Sequence, residues 1–357
     1  MNKKTPIRLL PAQAWRTYQG GRLIAALHGR EAEDTHFPEE WLMSTVRARN
    51  PGREDIVEGL SLMEDGGSLR DCIQADPEGV LGAGRRDTGV LMKLIDAAER
   101  LSVQVHPTRQ DAMRLFNSPY GKTECWHILG GREIDGQKPG IWFGFKPGIT
   151  REKWAALFYA QDIQGMLDCL HHIEVQPGET WLIQGGVPHA IGPGCFLAEI
   201  QEPTDLTLRT ERVDPQGRPL PDESCHQGVG FENMLDCFDY TGRTLEEARA
   251  AWCIPPRVIE STPDYEKTSV LGYDSTPFFK LEKWKVTGSL RCLPRDTYYG
   301  LYALEGEGAL RADGGQTPLR PGDQLFVPAG TEAFELAAGK GPITLLAYTG
   351  PREPTQG

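Results

Sequence analysis

Residues 175–191 read VQPGETWLIQGGVPHAI, and residues 319–335 read LRPGDQLFVPAGTEAFE. The two stretches align without a gap, and both contain a Pro-Gly-acid triplet followed by a further glycine. The matching positions are Pro177-Gly178-Glu179 with Gly186 in the first copy and Pro321-Gly322-Asp323 with Gly330 in the second. Each copy has the pattern of a tight turn, an apolar strand and a second turn. This internal repeat predicts two related β-sandwich units in one chain.

Short strands joined by turns are predicted along the rest of the chain as well. The 41 glycines and 27 prolines suit such a structure. Alternation of apolar and polar residues, together with short apolar runs, predicts strands at 91–95, 102–105, 124–129, 140–145, 172–175, 180–183, 196–201 and 206–210. The segment YALEGEGALRADGG predicts a hairpin ahead of the second copy. The predicted fold class is therefore mainly β and antiparallel.

Two segments have helical spacing instead. Residues 150–170, TREKWAALFYAQDIQGMLDCL, place apolar side chains three and four positions apart, which predicts two short helices that close an open end of a barrel. Thr244 and Glu247 form a capping box at the start of a predicted helix over 244–252. We expect a first unit at 1–240, with its helical insert near 150–170, and a second unit at 241–357.

Composition and charge limit the class of function. A formal net charge of −12 argues against a nucleic-acid or anionic-membrane surface, since both require excess lysine and arginine. No apolar run is long enough to span a bilayer, and the first residues lack the apolar segment of a signal peptide. The eight cysteines include no CxxC pair and are expected to be reduced thiols. The predicted protein is cytoplasmic.

Four side chains form a candidate metal site. In LSVQVHP, residues 101–107, Gln104 and His106 are two positions apart and therefore lie on one face of a strand. Glu124 and His189, from other segments, complete a set of nitrogen and oxygen ligands that suits zinc and also manganese, iron or cobalt. The second copy has Ala333 at the position of His189, which predicts one working site and a C-terminal unit that packs against the first without a metal.

The sequence allows two interpretations for each of two cationic side chains, Lys93 and Arg209. Lys93, in the apolar run LMKLIDA, is either an edge residue whose ammonium reaches water or an interior ammonium with a depressed pKa or an anionic partner. Arg209 alternates with Leu208 in TDLTLRTER and either faces outward or binds a phosphate.

The motifs LSVQVHP, GKTECW, PHAIG and EIQEPTDLTLR resemble, in order and spacing, those of the type I phosphomannose isomerases (mannose-6-phosphate isomerases) of the cupin superfamily. The resemblance covers most of residues 15–210 and, more weakly, the C-terminal unit. It implies two cupin-like jelly-roll units and one Zn²⁺ held by Gln104, His106, Glu124 and His189. It further implies a catalytic Arg209, an active-site Lys93, and phosphate contacts at Ser102 and Lys122.

Three departures from that family pattern bear on the substrate and on the base. The opening element reads WRTYQGG instead of Trp-Gly-Gly, the large helical insertion of long members is much reduced, and Pro215 replaces a lysine six positions after the arginine. None of them affects the four metal-binding positions.

The implied reaction interconverts mannose 6-phosphate and fructose 6-phosphate, which moves a proton between C1 and C2. A divalent cation would polarise the substrate oxygens, and Lys93 or a metal-bound water would serve as the base. Alternatives are an isomerase of another phosphorylated sugar, a cupin metal oxidoreductase, or a sugar-phosphate-binding regulator. The expected partner is the small sugar phosphate, and the expected oligomeric state is a monomer or homodimer.

Overall fold

The computed structural model describes residues 4–50, 52–53 and 55–354. Within them the strands are β1 (Ile7–Leu9), β2 (Ala12–Ala14), β3 (Glu39–Leu42), β4 (Leu91–Asp96), β5 (Gln104–Val105), β6 (Glu124–Gly131), β7 (Gly140–Phe145), β8 (Leu170–Glu174), β9 (Thr180–Ile183), β10 (His189–Ile191), β11 (Cys195–Gln201), β12 (Leu208–Arg209), β13 (Arg257–Ser261), β14 (Tyr265–Leu271), β15 (Lys280–Val286), β16 (Ser289–Cys292), β17 (Tyr299–Glu305), β18 (Gly308–Ala312), β19 (Gly315–Leu319), β20 (Gln324–Val327), β21 (Phe334–Ala338) and β22 (Ile343–Thr349). The helices are α1 (Arg22–Leu27), α2 (Leu69–Ala75), α3 (Pro77–Leu81), α4 (Arg109–Phe116), α5 (Arg151–Ala160), α6 (Ile163–Asp168), α7 (Asp222–His226), α8 (Phe231–Asp236) and α9 (Leu245–Trp252).

The strands form two pairs of antiparallel sheets, which confirms the mainly β prediction. A six-stranded sheet, β2-β3-β4-β11-β6-β9, faces a five-stranded sheet, β12-β5-β10-β7-β8, in the first half of the chain. A seven-stranded sheet, β1-β20-β17-β22-β15-β14-β13, faces a four-stranded sheet, β16-β21-β18-β19, in the second half. Each sandwich has its own buried core, built around Trp126 and Phe143 in the first and around Trp284 and Leu336 in the second. Alternating strand residues point into these cores.

The two copies of the repeat occupy equivalent places in the two sandwiches. Strands β9 and β20 fall on matching positions of the aligned stretches, and each follows its Pro-Gly turn. Gly178 has φ 92° and Gly322 has φ 91°, a left-handed conformation that favours glycine. The internal repeat is therefore present in the structure.

The predicted hairpin at 302–315 is wrong in its pairing. Strand β17 pairs with β20 and β22, whereas β18 belongs to the opposite sheet and pairs with β19 and β21. The hairpin is formed by β18 and β19 around Asp313-Gly314, where both residues have positive φ. An Asp-Gly pair suits such a two-residue turn, which is why the hairpin starts one strand later.

Helices α5, α6 and α9 lie where the spacing predicts them. The capping box of Thr244 and Glu247 begins α9, with both reciprocal hydrogen bonds made. Helices α5 and α6 do not close a barrel end. They pack through Trp154, Phe158 and Met166 on the outer face of the five-stranded sheet, in a cluster with Val105 and other apolar side chains. An outer sheet face that is apolar requires such a cover.

The two sandwiches share a further core. A cluster of buried side chains joins Met92 and Leu94 of β4 with Tyr302, Phe326 and Tyr348 of the second half. Strand β1 also pairs with β20, so the N-terminal strand lies in the C-terminal sheet. The division at residue 240 stays a prediction. None of the described helices has both the length and the apolarity needed to cross a membrane, and all eight cysteines are free thiols.

Candidate metal centre

Three neighbouring strands place predicted site residues in one row. Gln104 of β5 lies opposite His189 of β10 on one side and opposite Arg209 of β12 on the other. Directly opposed residues in antiparallel strands share a face of the sheet, so these three side chains point the same way. Val105 and Leu208 are opposed on the other face, where they pack under the helices. The apolar outer face thus orients the polar row inward.

Two more of the predicted ligands reach the same point from nearby segments. His106 follows β5, and Glu124 begins β6 in the facing sheet. His106, Glu124 and His189 are all completely buried, and their ligand atoms lie within 4.8 Å of one another. The two Nε2 atoms are 3.1 Å apart, and Glu124 lies 3.1 Å from His106 and 3.4 Å from His189. This spacing suits three ligands around one ion.

The hydrogen bonds of the histidines fix which nitrogen faces the site. His106 Nδ1 donates to the carbonyl of Leu206 at 2.9 Å, and His189 Nδ1 donates to the carbonyl of Val187 at 2.8 Å. A carbonyl oxygen accepts only, so in a neutral ring the Nε2 lone pair faces the site. Burial lowers the pKa of His106 to about 3 and also lowers that of His189, which keeps both rings neutral.

The donor set therefore fits a divalent metal. Two Nε2 lone pairs face each other at hydrogen-bond distance, and the buried Glu124 Oε1 has no hydrogen-bond partner. Although burial acts to raise it, the pKa of Glu124 lies well below its usual range because the Lys122 ammonium and the imidazoles favour the carboxylate. Gln104 lies beside them, with its amide Nε2 3.2 Å from His189 Nε2. A 180° rotation of that amide presents Oε1 as a fourth ligand.

Lys122 lies at the ligands themselves. Its Nζ is 2.9 Å from His106 Nε2 and 2.9 Å from Glu124 Oε2. Lys122 lies two residues before Glu124, just ahead of β6. The phosphate contact that the family resemblance implies for Lys122 stays a prediction.

Lys93 is an interior ammonium with anionic partners. It is 3% exposed on β4, and its Nζ lies 3.0 Å from Glu199 Oε1 and 3.9 Å from Glu39 Oε2. Burial acts to lower the pKa of Lys93, but the two carboxylates outweigh this and raise it. Lys93 neither reaches water nor has the depressed pKa that was one alternative, so it stays charged at neutral pH.

Sequence reasoning missed the partners of Lys93. Glu199 of β11 also accepts a hydrogen bond from Trp126 at 2.9 Å, and Glu39 of β3 accepts one from Arg16 at 2.8 Å. Only folding brings the two carboxylates to Lys93, because β3 and β11 are the strands that pair with β4. The alternation in CFLAEIQ, residues 195–201, was the one local signal, since it places Glu199 on a buried strand.

A cavity of about 300 Å³ adjoins the candidate metal site through Gln104 and Lys122, and we call it the metal cavity. It is lined by predicted site residues Lys93, Ser102, Gln104, Lys122 and Arg209, among others. Arg209 Nη1 donates to the carbonyls of Thr207 at 3.4 Å and Ser224 at 3.2 Å, which leaves further guanidinium donors for a ligand. The structure thus brings all eight predicted residues to one place: His106, Glu124 and His189 form the buried candidate metal site, and the other five line the cavity.

The chain is similar in sequence to known mannose-6-phosphate isomerases. Residues 270–345, in the second sandwich, match the family model described as mannose-6-phosphate isomerase, cupin domain. The mannose-6-phosphate isomerase of Streptococcus mutans is 27% identical over 326 residues, which cover 89% of this chain and 91% of that protein. The mannose-6-phosphate isomerase ManA of Bacillus subtilis is 26% identical over 69% of this chain and 71% of its own length. The predicted resemblance to the type I mannose-6-phosphate isomerases is confirmed.

Solved structures of mannose-6-phosphate isomerases share the fold. The Bacillus subtilis enzyme superimposes with a TM-score of 0.75 at 22% identity, over 96% of this chain and 99% of that one. A zinc-bound mannose 6-phosphate isomerase superimposes with a TM-score of 0.70 at 15% identity, over 97% of this chain and 100% of the other. Both sandwiches, including the one without predicted metal ligands, therefore belong to the shared architecture.

Proposed function

We propose that this chain is a metal-dependent aldose–ketose isomerase that interconverts mannose 6-phosphate and fructose 6-phosphate. The observation that carries the proposal is the pair of buried imidazoles whose Nε2 lone pairs face each other beside the unpartnered Glu124 oxygen. Gln104 and Lys122, which contact these groups, line the metal cavity. The names of the relatives supply the reaction, and the cavity supplies cationic side chains for a phosphorylated sugar.

The metal would be one zinc ion per chain, held by Gln104, His106, Glu124 and His189. When bound, it would polarise a substrate oxygen and so acidify the neighbouring C–H bond. Lys122, whose Nζ already contacts two ligands, would lie beside C1 and C2. Arg209 would donate hydrogen bonds to oxygen atoms on which negative charge develops.

Lys93 has a different part in this proposal. Because its pKa is raised, the side chain is a charged donor and cannot accept a proton at neutral pH. Held between Glu199 and Glu39, the ammonium is fixed in position at the wall of the cavity. We therefore assign it to orienting the substrate, with Ser102 as a further contact. The cytoplasmic location and the choice between monomer and homodimer stay predictions.

The test is turnover of mannose 6-phosphate in an assay coupled to the consumption of fructose 6-phosphate. Three samples are compared: the purified protein, the protein stripped of metal by a chelator, and the stripped protein with added Zn²⁺. We expect activity that is lost on stripping and restored by zinc. Unchanged activity after complete stripping would reject the metal-dependent mechanism. Activity with other phosphorylated aldoses but not with mannose 6-phosphate would change the substrate, and oxygen consumption with iron would indicate the oxidoreductase alternative.

A further inference from the structure

A second cavity of about 1100 Å³ adjoins the metal cavity. It is lined mainly by parts of segments 46–50, 203–206 and 220–228, and we call it the arginine groove. The two cavities share the lining residues Arg16, Thr17, Asp205, Arg209 and Leu220. Arg209 therefore stands where one cavity passes into the other.

The charges that line the two cavities differ. The metal cavity has five cationic side chains and five carboxylates, namely Arg16, Lys93, Arg100, Lys122 and Arg209 against Glu39, Glu199, Asp205, Glu211 and Asp214. The arginine groove has four guanidinium groups and two carboxylates, namely Arg16, Arg47, Arg49 and Arg209 against Asp205 and Glu223. The excess of positive charge therefore lies in the groove, in a chain whose formal net charge is −12. Such a local excess favours an anion.

Two of these arginines are not part of the metal cavity. Arg47 and Arg49 are both exposed and both line the groove, and the buried Ala48 between them lines it as well. The segment is tied to the rest of the site, because the Arg49 backbone N–H donates to Asp205 at 3.2 Å and Asn50 accepts from Arg16 at 3.0 Å. Within the part of the chain that the structure describes, no side chain accepts a hydrogen bond from the Arg49 guanidinium.

The length of a hexose phosphate bears on where its phosphate lies. The phosphate of a hexose 6-phosphate is attached four carbon atoms beyond C2, so an extended sugar with C1 and C2 at the candidate metal site carries its phosphate away from that site. A sugar that extends from the metal cavity past Arg209 enters the arginine groove.

We propose that the arginine groove is the subsite for the substrate's phosphate, with Arg49 as its main ligand and Arg47 beside it. This inference rests on the proposed function for the identity of the sugar but not for the presence of an anion site. It makes Arg49 a specificity residue that distinguishes phosphorylated from unphosphorylated sugars.

The test combines binding and turnover in the zinc-loaded protein. Binding of inorganic phosphate is measured by ³¹P NMR titration in the wild type, in Arg49→Ala and in the control Arg86→Ala, an exposed arginine outside both cavities. We expect the affinity for phosphate to fall about tenfold in Arg49→Ala, the factor for losing one charge-assisted hydrogen bond, and to stay unchanged in the control. The kcat/KM for mannose 6-phosphate should fall by the same factor, and that for unphosphorylated mannose should not change.

Each other outcome decides a separate question. Unchanged phosphate affinity in Arg49→Ala, or an equal loss in Arg86→Ala, overturns the inference. An equal fall of kcat/KM for both sugars also overturns it, because Arg49 would then act on something other than the phosphate. Phosphate binding that depends on Arg49, in a protein that does not isomerise mannose 6-phosphate, keeps the anion subsite and rejects the proposed function.

Discussion

Replacement of Lys93 by methionine tests the buried ion pairs beside the metal cavity. The Lys93, Glu199 and Glu39 side chains are at most 5% exposed, and the ammonium lies between the two carboxylates. Methionine keeps most of the apolar stem but removes the charge, so Glu199 loses the cation 3.0 Å away. Removing one partner of a buried pair costs about 3–5 kcal/mol, because the remaining charge is left without compensation in a medium of low polarity. We expect the free energy of unfolding to fall by about that amount.

The assay is equilibrium unfolding in urea, followed by the fluorescence of the buried tryptophans. Glu199→Gln and the double variant Lys93→Met/Glu199→Gln complete a double-mutant cycle, and Lys285→Met is the control at an exposed strand lysine. The coupling free energy of the two side chains should be about 1–3 kcal/mol. A loss below about 1 kcal/mol in Lys93→Met, which is the size of an exposed pair, would refute the reasoning. Additive effects of the two single variants would do the same.

The remaining predictions concern the metal, the arginine and the effect of acid. His189→Ala should lose both bound metal and activity, as measured by elemental analysis and turnover. The control His172→Ala, at an exposed position of β8, should keep both. Full metal occupancy in His189→Ala would show that the metal binds elsewhere. Arg209→Ala should lower kcat with its metal content unchanged, since the guanidinium holds no ligand position, and a loss of metal would contradict this. Despite burial, which acts to raise it, Arg16 and Lys93 lower the pKa of Glu39 to about 2. The folded-state pKa is lower than the ordinary value of 4.5, so the stability that the ionised Glu39 contributes above pH 4.5 should be lost as the pH falls towards 2. In Glu39→Gln, the free energy of unfolding measured in urea should therefore decrease less over that pH range.

The features that were predictable from sequence depend on local chemistry. A Pro-Gly turn needs a residue with positive φ, and a capping box needs two side chains three positions apart, so both are visible in the chain itself. The candidate metal site was suggested by a related local pattern: the two-residue spacing of Gln104 and His106 predicts a common face. Strand β10 was not recognised, because its three residues lie between Pro188 and Gly192 and resemble a turn. His189 therefore lies on a strand and not in the second turn of the repeat, and its role as a metal ligand stays a prediction.

The features that were missed depend on strands that are distant in the chain. Glu39 and Glu199 meet Lys93 because β3, β4 and β11 are neighbours in one sheet, and no local pattern specifies that order. The predicted hairpin of β17 and β18 was wrong for the same reason, since the chain passes from one sheet to the other between these strands. The arginine groove likewise combines segments 46–50 and 220–228, which are far apart in sequence.

The second sandwich acts on the site through the back of the six-stranded sheet. Along β4, Met92 and Leu94 face the core shared with the second half of the chain, while Lys93 between them faces the cavity. The same alternation holds along β11, where Ala198 and Ile200 face the shared core and Glu199 lies between them. A shift of one residue in either strand would exchange these faces and bury charge in the apolar core. By covering the apolar face, the second sandwich holds both strands in the register that joins Lys93 to Glu199. The second sandwich therefore supports the site through packing, and its lack of a metal of its own stays a prediction.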